Sequence, residues 1–184
     1  MRLTNLIIEN KLYLELILGG MRSGKSRMAQ ERCHATKKDV VYIATATAGD
    51  DEMRQRIARH RQDRPSNWHT VEQSIYLAEA MKAYSRADNC VLVDCLTLWI
   101  TNLLCADDPA LLDAEIDSFF STLKQISGHI ILVSNETGLG VIPADPMSRR
   151  FVDISGRLHQ DLAKISDTVI YTVAGIPQFL KGSV

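Results

Sequence analysis

The sequence predicts an α/β fold built on a mostly parallel sheet with helices on both sides. Three observations point there. Apolar runs of five to seven residues alternate with longer stretches of helical spacing. The runs are apolar almost throughout, as strands covered on both faces are. Strand and helix then alternate along the chain, which requires crossover connections between parallel neighbours.

Leu12 to Leu18 is the first expected strand, followed by a glycine-rich turn and a helix over Lys25 to Thr36. Val40 to Ala46 is the second strand. The next helix spans Asp50 to Gln62, with Asp50, Asp51 and Glu52 near its positive end and Pro65 stopping its continuation. Trp68 to Glu72 reads as a further short strand. A helix over Ser74 to Tyr84 leads into a strand at Cys90 to Cys95. Helices over Leu96 to Cys105 and Pro109 to Ile126 precede a strand at His129 to Ser134. A helix over Pro146 to Ile165 and a strand at Thr168 to Val173 complete the series. The last four of the five main strands are rich in β-branched residues. Loops are expected at Ala106 to Pro109 and Gly138 to Pro143, where Gly and Pro break both periods.

A chain of 184 residues with 46% apolar side chains is expected to form one domain, residues 1–184, without disulfides or structural metal. Its formal net charge of −1 supplies no global field for nucleic acid or an anionic bilayer, so neither is an expected partner. Glu9, Lys11 and Glu15 interrupt the Leu- and Ile-rich start, which falls short of the ~18 uncharged residues of a membrane span. Cys33, Cys90, Cys95 and Cys105 form no Cys-x-x-Cys pair and read as free thiols, which places the chain in a reducing cytoplasm.

In an open parallel sheet, ligands sit beyond the carboxyl ends of the strands. Directly after the first strand come Gly19, Gly20, Met21, Arg22, Ser23, Gly24, Lys25 and Ser26, matching G-x-x-x-x-G-K-[ST] and opening a helix. This is a Walker A loop in its proper setting. Its main-chain N–H groups can turn inward around a phosphate, Lys25 reaches the β/γ oxygens, and the Ser26 hydroxyl can ligate Mg²⁺. A second metal-holding carboxylate should end a neighbouring buried strand, and Val91-Leu92-Val93-Asp94 supplies one. Asp94 also immediately precedes a helix, so an N-cap role stands beside the metal role.

The stretch from Asp50 to Pro65 packs Arg54, Arg56, Arg59, Arg61 and Arg64 into eleven residues around His60. Met53, Ile57 and His60 share a helix face. A solvated basic face with a packed histidine is one reading. Next to a triphosphate site there is another, because a neutral imidazole is a competent nucleophile toward phosphorus and guanidinium forks suit phosphate oxygens. Spacing alone does not choose between them.

Six blocks in order, GGMRSGKS at 19–26, YIATA at 42–46, DDEMRQRIARHRQDRP at 50–65, WHTVE at 68–72, LVDCLTLWITNLL at 92–104, and NETGLGVIP with RRFVDISGRLHQDLA at 135–163, resemble one family. It is the bifunctional adenosylcobinamide kinase / adenosylcobinamide-phosphate guanylyltransferase family of cobalamin synthesis. The resemblance implies a three-layer P-loop NTPase of the RecA-like kind. It also implies two reactions: phosphorylation of adenosylcobinamide from ATP or GTP, then transfer of GMP from GTP through a guanylylated histidine to give adenosylcobinamide-GDP. His60 matches that histidine. The loop from Gly19 to Ser26, then Thr45, Ala46 and Thr47, then Arg61, Gln62, Asp63 and Arg64, with Glu72 and Asp94, match nucleotide contacts. A homotrimer is implied as well. Residues 1–11 extend beyond the family's usual start, His159 stands where Asn is common, and Asp94 is shorter than the Glu of some relatives.

Two rival functions remain at this stage. A plain P-loop small-molecule kinase would use His60 and its arginines only as a phosphate clamp. A regulatory GTPase asks for N-K-x-D, which does not occur, while Asp153 to Gly156 matches D-x-x-G inside a late helical stretch and reads as coincidence. Asn135 and Glu136 end a strand where substrate could be met, or cap the Gly138 turn. Arg149, Arg150 and Asp153 reach a corrinoid or a neighbouring subunit, or form a solvated face. His34, His69 and His129 read as structural.

Overall fold

In the computed structural model, which describes residues 11–62 and 64–183 but not the side chains of Arg56, Arg59, His60 and Gln62, the apolar runs become one seven-stranded sheet. Its strands are β1 (Leu12–Gly19), β2 (Asp39–Ala44), β3 (His69–Glu72), β4 (Asn89–Asp94), β5 (Gly128–Asn135), β6 (Thr168–Val173) and β7 (Ile176–Lys181). They lie in the order β3-β2-β4-β5-β1-β6-β7, parallel except for the antiparallel β6–β7 pair. Six helices connect them: α1 (Lys25–Ala35), α2 (Asp51–Gln62), α3 (Leu77–Tyr84), α4 (Leu96–Leu104), α5 (Leu111–Leu123) and α6 (Pro146–Ile165).

The two-residue period of the strands sorts their side chains into two cores. Leu14, Leu16, Val91, Val93, Ile130 and Leu132 face a layer made by α3, α4, α5 and α6, where Trp99 and Phe119 stack at 5.2 Å. Ile17, Val40, Tyr42, Leu92, Ile131 and Val133 face Ala29 and Cys33 of α1. The result is the three-layer α/β arrangement that the alternation of elements predicts. Glu15 is the charged exception inside β1. It is fully buried on the α1 side, where Arg32 Nε donates to it at 2.7 Å and His129 Nε2 lies 2.5 Å away.

Several boundaries differ from the sequence expectation, each for a local reason. β2 ends at Ala44, because the Thr45 hydroxyl pairs instead with the main chain of Cys95, donating to its carbonyl at 2.7 Å and accepting from its N–H at 2.8 Å. α3 starts at Leu77 rather than Ser74, since Gln73 Oε1 accepts from the N–H groups of Ile75 and Tyr76 and holds them in a turn. α5 starts at Leu111 rather than Pro109, with Asp108 Oδ1 accepting from Ala110 N–H. Strand β7 was not expected. It follows a two-residue turn, Ala174-Gly175, with φ of 50° and 81°, the primed geometry that suits a hairpin. The N-terminal extension lies outside the described residues except for Lys11.

Candidate active site

The loop between β1 and α1 is shaped by glycine. Gly24 caps α1 with φ 96°, and a Cβ there would stand 3.0 Å from the Cα of Gly175. At Gly19 a Cβ would meet the Thr172 carbonyl oxygen at 2.6 Å. The loop is thus braced against the β6–β7 hairpin, and Gly175 N–H donates to the Ser23 carbonyl at 2.8 Å. Lys25 is buried and donates from Nζ to the Gly20 carbonyl at 3.2 Å. α1 has neither a capping side chain nor an acidic residue in its first turn. Its positive end is therefore presented to an external anion, as a phosphate-binding helix requires.

Helix α2 shares a cleft with this loop and with the carboxyl ends of β2, β3, β4 and β5. Asp50 starts it, with Oδ1 accepting from Met53 N–H at 2.7 Å. The cleft is lined by Lys25 and Ser26 on one wall, Met53, Ile57, Arg61 and Arg64 on another, and Ala44, Glu72, Asp94 and Asn135 from the strand ends. Arg61 is ion-paired with Glu72. Arg64 lays its guanidinium 3.6 Å from the centroid of the Tyr42 ring, and the Tyr42 hydroxyl donates to Asp94 Oδ2 at 2.9 Å. Burial, reinforced by the Asp94 carboxylate, pushes the Tyr42 phenol well above its usual range, so it stays a donor.

The N-cap reading of Asp94 is corrected by this geometry: Cys95 is the N-cap of α4, and no side chain caps that helix. Asp94 instead lines the cleft together with Ser26. Both are hard oxygen donors, a set that fits a small divalent ion sharing its coordination with phosphates and water.

Of the other expected nucleotide contacts, Ala46 lines the same cleft and Thr47 an adjoining groove that also includes Arg61 and Glu72. Gly19, Gly20, Met21, Arg22, Ser23 and Gly24 form the loop itself. Thr45 stands apart, fully buried with its hydroxyl taken up by Cys95. His60 lies on α2, and at helical spacing position 60 shares a stripe with Met53 and Ile57, both of which line the cleft. The side chains of His60 and Gln62, and all of Asp63, lie outside the described residues.

Two supporting residues were not anticipated. Tyr42, the one hydroxyl in an apolar strand, is the donor to Asp94. Asn102, the one amide in an apolar helix, donates from Nδ2 to the carbonyls of Thr45 and Ser74 and accepts from Thr47, fixing the segment after β2. Arg149 folds back onto the Pro143 and Ala144 carbonyls, whereas Arg150 and Asp153 are exposed. Asp153 to Gly156 is inside α6, as a coincidental D-x-x-G match should be.

A family model described as cobinamide kinase / cobinamide phosphate guanyltransferase, CobU, matches residues 15–180. The chain belongs to this CobU family. It is 53% identical over 168 residues to the bifunctional adenosylcobalamin biosynthesis protein CobP of Pseudomonas aeruginosa, covering 91% of this chain and 97% of that one. It is 39% identical over 174 residues to the protein of the same description, CobU, of Escherichia coli, covering 88% and 96%. Among solved structures, the flagellar accessory protein FlaH of Methanocaldococcus jannaschii shares the fold, with a TM-score of 0.51 at 14% identity over 93% of this chain and 79% of that one. The CobU-family chain thus carries its Walker loop and arginine-rich helix on a mostly parallel seven-stranded sheet.

Proposed function

We propose that this protein is a single-domain bifunctional enzyme that phosphorylates adenosylcobinamide from ATP or GTP and then transfers GMP to the product, giving adenosylcobinamide-GDP. The observation that carries the reading is the meeting of two anion-binding devices in one cleft. The Walker loop presents Lys25 and a helix N-terminus, and Arg61 of α2 and Arg64 beyond its end line the same cleft. Family membership and high identity to CobP support the same chemistry.

In the first reaction Lys25 and the loop N–H groups hold the β- and γ-phosphates, and the substrate hydroxyl displaces the nucleoside diphosphate at the γ-phosphorus. Ser26 and Asp94 would hold Mg²⁺, which when bound neutralises charge on the phosphates. Tyr42 orients Asp94. In the second, the His60 imidazole attacks the α-phosphorus of GTP. An N–P bond forms, the α–β bridging P–O bond breaks and pyrophosphate leaves. A phosphate oxygen of adenosylcobinamide phosphate then takes the guanylyl group as the N–P bond breaks. Gln62, Asp63, Glu72, Ala46 and Thr47 complete the nucleotide contacts in this reading. A homotrimer is part of this reading, and light scattering tests it. Cytoplasmic action agrees with four free cysteines, three of them buried. Among the described residues, no helix is long and apolar enough to cross a membrane.

Turnover separates this reading from a plain kinase. With adenosylcobinamide and Mg²⁺, label from γ-labelled nucleotide should appear in adenosylcobinamide phosphate, and label from α-labelled GTP in the GDP derivative. Incorporation of the γ-label alone would reduce the protein to a kinase; incorporation of neither would overturn both halves.

A further inference from the structure

β5 separates the strand that carries the phosphate loop from the strand that ends in Asp94, since the sheet runs β4-β5-β1. Its last residue is therefore flanked by both devices: Asn135 is in register with Gly19, and Val133 with Asp94. The two-residue period sends Ile131, Val133 and Asn135 toward α1, and Ile130, Leu132 and Ser134 toward α6. Asn135 accordingly lines the cleft with Lys25, Ser26 and Asp94. Its Oδ1 is buried with no hydrogen-bond partner among the described residues. A buried amide oxygen left unpaired in the free protein is costly unless a ligand supplies the donor.

The neighbours of Asn135 are held from behind. Glu136 N–H donates to the Gly19 carbonyl at 3.0 Å, tying the end of β5 to the start of the phosphate loop. On the opposite face, Ser134 Oγ is 2.7 Å from His159 Nε2, and His159 Nδ1 is 3.8 Å from Glu136 Oε2. A carboxylate only accepts, so the arrangement favours the proton on Nδ1 and donation from the Ser134 hydroxyl to Nε2. One buried ring on α6 thus grips the residues on either side of Asn135.

We propose that Asn135 is a further catalytic residue of the phosphoryl-transfer step, its carboxamide bridging the γ-phosphoryl group and the incoming hydroxyl, and that His159 is its positioning residue. An amide is not a base, so Asn135 takes no proton. It donates from Nδ2 to a γ-phosphoryl oxygen and accepts at Oδ1 from the alcohol. The alcohol oxygen bonds to phosphorus, the β–γ bridge breaks, the nucleoside diphosphate leaves and the hydroxyl proton passes to solvent. This rests on the kinase half of the function proposed above.

The test measures kcat and KM for adenosylcobinamide phosphorylation, GTP affinity and Tm in wild type and four variants. Asn135→Ala should lower kcat about 100-fold while GTP affinity changes less than about threefold, as loss of one transition-state donor does. Asn135→Asp keeps the shape but turns a carboxylate toward the γ-phosphate, so it should lower kcat at least as far and also weaken GTP binding. His159→Leu should lower kcat about tenfold at unchanged GTP affinity, and His159→Asn, whose amide can still bond Ser134, should restore most of it. Wild-type turnover with unchanged kcat in Asn135→Ala, or in Asn135→Asp should the alanine variant not fold, overturns the role of Asn135. Equal kcat in wild type and His159→Leu overturns that of His159. A wild-type protein that does not phosphorylate adenosylcobinamide overturns the kinase reading, and this proposal with it.

Discussion

Lys25 is the residue on which both proposed reactions would depend: it is buried at the phosphate loop, with Nζ donating to the Gly20 carbonyl. Replacing it with Ala should lower kcat/KM for phosphoryl transfer by at least about 100-fold, which a γ-label assay measures. His159 allows a different test. Burial pushes its imidazole below the ordinary value of 6.5, and the Glu136 carboxylate opposes this only in part. A folded-state value below the unfolded one gives a contribution that is complete above about 6.5 and lost as the pH falls toward the depressed value. Urea unfolding between pH 7 and 5 should therefore show a steeper loss of stability in wild type than in His159→Asn; parallel curves would contradict a neutral buried ring. Neither role of His159 was visible in the sequence, where the residue showed only as a departure from a common Asn. Its partner Ser134 is 25 positions away and is brought to it by packing of α6 on β5.

Among the elements, the β1–α1 connection is both the most legible and the most constrained. The motif identified it because each residue type has one job there, and Gly24 shows why: its φ of 96° and the nearby Gly175 backbone exclude a side chain. Gly24→Ala should cost about 1–2 kcal/mol in a chemical denaturation curve and weaken nucleotide binding. Strands β1, β2, β4, β5 and β6 were legible because burial on both faces leaves continuous apolar runs. β7 was not, since Pro177 argues against a strand except at an edge, which is where the structure puts it. The starts of α3 and α5 were misread because the side chains of Gln73 and Asp108 compete for main-chain N–H groups that helical spacing alone would assign to the helix. For α2 the arginine spacing and the acidic start were readable, but the stack of Arg64 on Tyr42 joins positions 22 apart and leaves no trace in any window of sequence.

At the scale of the molecule, the sheet order brings the candidate site residues together: the carboxyl ends of β2, β3, β4 and β5, the start of α1 and one side of α2 line one cleft. The same sheet contains a buried cluster, Glu15 with Arg32 and His129, whose residues do not line the cleft. Burial alone would raise the Glu15 carboxyl, but hydrogen bonds and charge from His129 and Arg32 outweigh it and hold it below 4.5. That contribution is present above about 4.5 and lost as the pH falls through the lower folded-state value. Glu15→Gln should destabilise the fold by about 3 kcal/mol, by leaving the Arg32 guanidinium and the His129 ring without their carboxylate, and should blunt acid unfolding below pH 4.5. Nucleotide affinity should stay unchanged if the cluster is purely structural, which calorimetry measures. In the proposed function this one cleft supports covalent nucleotide transfer as well as phosphorylation. Intact-protein mass spectrometry after incubation with GTP and Mg²⁺, followed by peptide mapping, tests it most directly. A guanylyl adduct, acid-labile and base-stable, should appear on the peptide containing His60 and be absent from His60→Ala; an unmodified wild-type protein, or an adduct that persists in the variant, would rule out transfer through His60.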